Sequence, residues 1–235
     1  FQSLSTAQIA ALTTLQVSAL MSDDLRALGT AQIRALETRD IAALDSADVA
    51  QLTNDQVAAL TTAQVRAIET NDIAGLGING LANLSSAQIA ALSSTQLAAM
   101  GSDQLQGLSD SQVAGLTTAQ LSAMSTDDLN LFTASQFQAM TTRQIAALRT
   151  DQINGMVSDD LQALTGAQVA ALSTDQIKNM ASSDIGTLTA DQLGNLTSLQ
   201  IRAIETADIG GIGITALAGL GTTQVRALTS EQLGV

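Results

Sequence analysis

A strict eight-residue repeat runs through this chain without insertion or deletion. The 232 residues from 4 to 235 divide into 29 octads, and residues 52–67 show two of them, LTNDQVAA and LTTAQVRA. With Leu52 as position one, position one is Leu, Ile, Met or Phe and position six is Ile, Val, Leu or Phe in all 29 octads. Position five is Gln in 19 octads and Asp in eight. So short a unit cannot bury its own apolar positions, so the octads must stack on one another.

The period excludes the common continuous elements. Eight residues turn an α-helix by about 800°, past two full turns, so the apolar stripe would wind around the helix. A coiled coil needs a seven- or eleven-residue period. In a strand, positions one and six would lie on opposite faces. The pattern therefore predicts a short helix in each octad, followed by a turn.

Two registers are open for the start of that helix. Ser or Thr at position two with Gln at position five, as in Thr61 and Gln64, has the spacing of a capping box. Leu60 and Val65 would then form its hydrophobic staple. The second register places the N-cap at position three, as Ser22 would in the octad that begins LMSDD.

Both registers predict the same fold class, an all-α solenoid of very short capped helices, one per octad, built as an elongated rod or superhelix. Small residues at position eight, usually Ala or Gly, would let successive helices approach closely. The octad does not determine how many octads make one coil, and we consider two and three.

A longer period overlies the octads. The phrase RAIETNDI at residues 66–73 recurs as RAIETADI at residues 202–209, an offset of 136 residues or 17 octads. We expect residues 1–235 to form one continuous solenoid that contains a duplicated 17-octad block. The chain starts in the middle of an octad, with FQS, which indicates a segment of a longer array.

Two octads related by the same offset break the pattern: LGINGLAN from Leu76 and IGITALAG from Ile212. They lack Gln or Asp at position five and have Ile at position three, so we select four candidate contact residues: Ile78, Gly80, Ile214 and Ala216. Because Gly disfavours helix, we expect weak or distorted helices there. One interpretation is a packing variant in which the additional Ile fills a gap. The other is a bend, or a lateral contact surface repeated once per block.

The composition argues against chemistry. There is no His and no Cys, so the usual acid/base, triad and thiolate metal sites are missing. We predict no catalytic residues, no cofactor and no metal, and therefore no enzyme. Three Asp pairs suit helix starts, where carboxylates favour the helix dipole: Asp23/Asp24, Asp127/Asp128 and Asp159/Asp160. Three Arg/Glu pairs at i,i+3 spacing predict exposed ion pairs: Arg34/Glu37, Arg66/Glu69 and Arg202/Glu205.

The charge and hydropathy limit the partners. A formal net charge of −13 disfavours nucleic acid, and no apolar run reaches the roughly 18 residues of a membrane span. The expected partners are neighbouring repeats or other copies of the chain, end to end or side by side. A protein or glycan ligand is an alternative. Ice binding through the Ser/Thr row at position three is less favoured, because capping would already explain that row.

The phrase L-[ST]-T-x-Q-[IV]-x-A, matched in all but one position by residues 84–91 and by residues 116–123, resembles repeat tracts of very large secreted proteins of Gram-negative bacteria. Those proteins carry the names haem-utilisation or adhesion proteins. The resemblance implies a structural spacer, stalk or filament-forming segment of an adhesin, at the cell surface or outside the cell. The haem part gains no support, because the chain has no His, Cys or Tyr.

Overall fold

The computed structural model describes residues 2–234, which contain helices and turns and no strand. Each octad forms one helix of its own. In all there are 27 α-helices of four to six residues, and octads 9 and 29 form 3-10 helices instead. The predicted all-α solenoid with one short helix per octad is confirmed. The chain divides into two compact units, Phe1–Leu116 and Thr117–Val235.

In the first unit, a 3-10 helix over Thr70–Leu76 lies between α8 and α9. The α-helices of this unit are α1 Thr6–Ala10, α2 Thr14–Ser18, α3 Ser22–Ala27, α4 Thr30–Ala35, α5 Thr38–Ile41, α6 Ser46–Val49, α7 Asn54–Ala59, α8 Thr62–Ala67, α9 Gly77–Ala82, α10 Ser86–Ala91, α11 Ser94–Ala98, α12 Ser102–Gln106 and α13 Asp110–Gly115.

In the second unit, a 3-10 helix over Gln232–Gly234 follows the last α-helix. The α-helices of this unit are α14 Thr118–Ala123, α15 Thr126–Leu129, α16 Ala134–Ala139, α17 Thr142–Ala146, α18 Thr150–Asn154, α19 Ser158–Ala163, α20 Gly166–Ala170, α21 Thr174–Lys178, α22 Ser182–Thr187, α23 Ala190–Asn195, α24 Ser198–Ala203, α25 Thr206–Ile209, α26 Ile214–Leu217 and α27 Thr222–Val225. Every helix in residues 2–234 is too short or too polar to cross a membrane.

The N-cap lies at position two, so the register with the cap at position three is wrong. Thr61 is the N-cap of α8, and its side chain accepts a hydrogen bond from the backbone N–H of Gln64. Even where position two is Met21, the helix begins at Ser22. The reason is visible at Gly29, which has no side chain to cap with. Its backbone N–H still donates to Oε1 of Gln32, at 2.8 Å, so the position-five side chain holds the start of the helix.

Ser and Thr at position three do not cap, so that explanation of the row is wrong. Several of them bond to the octad three places later. The hydroxyl of Ser86 donates to the carbonyl of Ser111 at 2.7 Å, and the hydroxyl of Thr14 donates to the carboxylate of Asp40 at 3.3 Å. Position three therefore contributes to stacking.

Positions one and six form the core, as predicted. Leu60 and Val65 are buried, at 3% and 0% exposure. The pattern weakens most in the last two octads, where position six, Val225 and Leu233, is 47% and 64% exposed. No later octad of this chain covers those two side chains.

One coil takes between three and four octads, so of the two numbers considered, two is wrong. Helices three octads apart pack together, for example α10 with α13 and α20 with α23. Side-chain hydrogen bonds reach somewhat further, from Gln56 to the carbonyls of Leu25 and Leu28, 31 and 28 residues earlier. A small residue at position eight is needed where helices three octads apart touch. A Cβ on Gly115 would lie 2.6 Å from Cβ of Ser86.

Candidate functional site

Position five carries the polar link between coils. Oε1 of Gln64 accepts from the backbone N–H of Thr61 at 2.8 Å, while its Nε2 donates to the carbonyls of Ile33 at 2.7 Å and Leu36 at 2.9 Å. Gln64 is only 2% exposed, so these buried bonds satisfy the whole amide. Sequence reasoning found the capping half of this role and missed the half that joins coils. The signal was the absence of Glu at position five, since Glu would cap equally well but could not donate.

Asp at position five uses a different partner, because a carboxylate has no N–H to donate. The hydroxyls of Thr14 and Ser182, both at position three, donate to Asp40 and Asp208 respectively. Each hydroxyl belongs to the octad three places before the Asp. These two Asp octads thus replace the amide-to-carbonyl link with a hydroxyl-to-carboxylate link.

The first irregular octad, residues 76–83, is distorted before its helix. The 3-10 helix over Thr70–Leu76 runs straight into α9, and Gly77, the first residue of α9, has φ of +59°. Gly80 is buried, and a Cβ there would lie 3.5 Å from Cβ of Leu76. Ile78 is 46% exposed, and its Cγ2 would lie 2.9 Å from a Cβ on Gly107. Ile78 thus packs on octad 13, as the packing interpretation expects.

The second irregular octad, residues 212–219, keeps the ordinary turn. Gly213 is the N-cap of α26 with φ of −62°, and the helix has four residues. Ala216 is buried, but Ile214 is 84% exposed. The side chain of Ile214 therefore fills no gap, which leaves it available for a lateral contact.

A groove lies next to the RAIET phrase in each unit. Both grooves follow the turn between two octads, α8 to the 3-10 helix in the first unit and α24 to α25 in the second. Their volumes are about 460 and about 420 Å³. Their linings correspond at the 136-residue offset: Arg66, Ile68, Glu69, Thr70, Ser93 and Gln96 match Arg202, Ile204, Glu205, Thr206, Thr229 and Gln232.

The rims of both grooves carry exposed charges that are not ion-paired, so the three predicted Arg/Glu ion pairs are wrong. The ion pairs within residues 2–234 join Arg39 to Glu37 and Asp40, and Arg149 to Asp151. Arg202 instead donates from Nε to the carbonyl of Ala227 at 3.2 Å. The turn at position one separates the two members of each predicted pair, because it lies between their helices.

The three Asp pairs lie in the first turns of α3, α15 and α19, as predicted. One member, Asp160, differs from a simple exposed capping carboxylate because it is 8% exposed and its Oδ2 has no hydrogen-bond partner. Elsewhere in residues 2–234, no three acidic, His or Cys side chains lie close enough together to hold a metal ion.

An all-α solenoid of octads is a repeat protein by architecture, and the comparison with known families agrees. A model of the ALTTAQ repeat matches residues 17–54, 35–67, 65–102, 96–126, 121–158, 155–190 and 201–235. The chain belongs to the ALTTAQ repeat family. No curated protein matches it.

Proposed function

We propose that this chain is a structural spacer, a stalk or filament-forming segment of an adhesin-like bacterial protein, without catalysis. The double use of the position-five Gln supports this proposal. Gln112, for example, donates at 2.7 Å to the carbonyls of both Leu81 and Leu84, which repeats the link made by Gln64. Because each octad supplies its own core and its own link, an array can lengthen without a new kind of contact.

Lengthening the chain tests the spacer role. Inserting a second copy of residues 68–203, one 136-residue block, preserves the octad frame. Small-angle scattering of a spacer should show a maximum dimension that rises in proportion to the number of octads. An insert of the same length and composition with scrambled octads is the control. An unchanged maximum dimension in the lengthened chain would contradict the proposal.

The same proposal places the protein outside the cell or at the bacterial surface, with other copies as partners. Exposed apolar side chains at position four, Leu15 and Leu199, favour side-by-side contact between copies. Sedimentation over a range of concentrations should show association that Leu199→Asp weakens. The matched substitution Ala63→Asp, at an exposed position of a middle octad, should leave association unchanged.

A binding module is the second candidate, and the paired grooves favour it. Arg66 and Glu69 depart from the common residues of the repeat, and both departures recur at Arg202 and Glu205. Both grooves have a guanidinium and a carboxylate on the rim, and the second also has Lys178 and Glu231. Such a rim suits a polar protein segment or a glycan. Binding to peptide and glycan arrays should be lost in Arg66→Ala/Arg202→Ala. It should survive in Arg26→Ala/Arg226→Ala, whose arginines occupy the same octad position outside the grooves.

A further inference from the structure

Two buried oxygen atoms in the second unit lack a hydrogen-bond donor. In residues 2–234, the buried side-chain polar atoms without a partner are Oδ1 of Asn130 and Oδ2 of Asp160. Both are acceptors when Asp160 is ionised. Buried acceptors normally have a partner, so these two call for a specific explanation.

The register of the solenoid places these two residues at the same contact. A position-five side chain reaches the backbone of position seven four octads earlier, as Gln88 does at Ala58 and Gln200 at Ala170, both 30 residues away. Asp160 and Asn130 have the same 30-residue relation.

A hydrogen bond ties the Asn130 side chain to that contact. Its Nδ2 donates at 2.8 Å to the carbonyl of Gly155, in the turn that leads into α19. That bond uses the amide nitrogen, so the amide oxygen is the atom of this side chain that is left without a partner.

The sequence explains why Asp160 has no donor. Asp40 and Asp208 each receive a hydroxyl from position three of the octad three places earlier. At the equivalent place before Asp160 stands Ala134, the first residue of α16, which packs against α19. A methyl group there cannot donate.

The chain repeats the Asn–Asp combination once. Asn occurs at position seven in two octads, as Asn130 and Asn154, and each lies 30 residues before a position-five Asp, Asp160 or Asp184. Nδ2 of Asn154 likewise donates to a carbonyl three octads later, that of Asn179. The same Asn–Asp pair therefore occurs at two equivalent contacts in this part of the array.

We propose that Asp160 holds a proton in the folded chain and donates it to Oδ1 of Asn130. This single proton satisfies both orphan oxygens and replaces the link that Gln makes elsewhere. The contact between octads 16 and 20 then depends on pH. The hydrogen bond forms in acid, while Asp160 is protonated, and is lost when Asp160 loses its proton.

The electrostatics of this contact agree with the proposal. Burial, with a smaller contribution from the charge of Asp159, raises the pKa of Asp160 to about 6. The nearest basic side chain before α19, Arg149, is paired with Asp151. The titratable groups on α19 and on the helices stacked next to it are acidic: Asp159 on α19, Asp127 and Asp128 on α15, Asp184 on α22 and Asp191 on α23.

The sign of the pH dependence follows from the raised pKa. The folded chain binds this proton more tightly than the unfolded chain does, since an unfolded Asp has its ordinary pKa of 3.8. The proton therefore stabilises the fold fully at low pH. That stabilisation decreases as pH rises and is gone above about 6.

The test compares wild type with Asp160→Asn in urea unfolding at about pH 4.5 and about pH 7.5. The Asn side chain supplies a permanent N–H donor. We expect its midpoint to exceed that of wild type at the higher pH, and the difference to shrink at the lower pH. The exposed acid Asp175 provides the control, and Asp175→Asn should show a pH-independent difference. A pH-independent difference for Asp160→Asn as well would overturn the proposal.

A second variant tests the proposal even if Asp160→Asn does not fold. Ala134→Ser supplies the hydroxyl that other Asp octads have, so it should raise the midpoint at about pH 7.5 and lower the carboxyl titration. Carbon-13 NMR of the Asp160 carboxyl should titrate near 6 in wild type and lower in Ala134→Ser. A wild-type titration like that of an exposed Asp would contradict the proposal. So would a wild-type gain in stability from added calcium that Asp160→Asn lacks, because a metal cation would then take the place of the proton.

Discussion

Octads 10 and 27 occupy equivalent places at the 136-residue offset and share four of their eight residues, yet they differ in structure. In octad 10, Gly77 has a positive φ, and the preceding octad is a 3-10 helix. In octad 27, Gly213 has the ordinary extended N-cap conformation, and the preceding octad forms α25. The exposure of their shared Ile differs as well, 46% for Ile78 against 84% for Ile214.

The difference lies in what covers each octad. Octad 10 has later octads stacked on it, since Gln112 donates to the carbonyl of Leu81 and Gly107 lies next to Ile78. In this chain, octad 27 is followed by only two octads, fewer than one coil. An octad thus takes its burial and its turn geometry from the coil above it as well as from its own residues. Paired substitutions at equivalent positions of the two octads separate these contributions.

The largest expected effect is at position six. Leu81 is 1% exposed in octad 10, whereas its copy Leu217 is half-buried in octad 27. Leu81→Asp should lower the free energy of unfolding by about 4 kcal/mol, because it buries an unpaired charge. Leu217→Asp should cost about half as much or less, since water reaches that site. Urea unfolding measures both, and equal losses would mean that coverage by the next coil is unimportant.

The next effect tests how much the coil above stabilises octad 10, through the hydrogen bonds that Gln112 donates. Gln112→Glu keeps the oxygen that caps its own helix but replaces the donor with a carboxylate oxygen beside the carbonyls of Leu81 and Leu84. We expect a loss of about 2 kcal/mol in the free energy of unfolding. The matched control is Gln8→Glu, because Gln8 is exposed and uses only its capping oxygen, in a bond from Ser5 at 2.9 Å. That control should be nearly neutral, and a similar loss in both variants would contradict the role in joining coils.

Much of the fold could be predicted from the octad, since everything within one octad is local. The capping box of Thr61 and Gln64 and the apolar positions of Leu60 and Val65 follow from short-range rules. The number of octads per coil could not be predicted, because it depends on how separate helices pack. For the same reason, the sequence did not predict the bond from Gln64 to the neighbouring coil or the stacking role of Ser86 at position three. Both side chains bond to residues 25 or more positions away.

The candidate site could likewise be predicted only in part. The sequence singled out Ile78 and Ile214 as irregular, but their exposure depends on stacking that no octad encodes. The grooves had a signal in the sequence that was not used for a site. Arg66 and Glu69 are departures from the repeat that both copies of the block keep, and they were interpreted as an ion pair. A departure kept twice indicates a role outside the core, and in this chain it marks the rim of a groove.

The smallest effect compares the two glycines at position two of the irregular octads, Gly77 and Gly213. Gly77→Ala places a Cβ on a residue with φ of +59°, which should cost about 1 kcal/mol. Nothing lies within 4 Å of that Cβ, so the cost is conformational and involves no clash. Gly213→Ala, at φ of −62°, should change the free energy of unfolding by less than about 0.5 kcal/mol. Hydrogen exchange of the amides in each octad, with urea unfolding, measures the pair. Equal effects would mean that the two octads have the same turn geometry in solution. Octads 10 and 27 would then differ only in how far the next coil buries them.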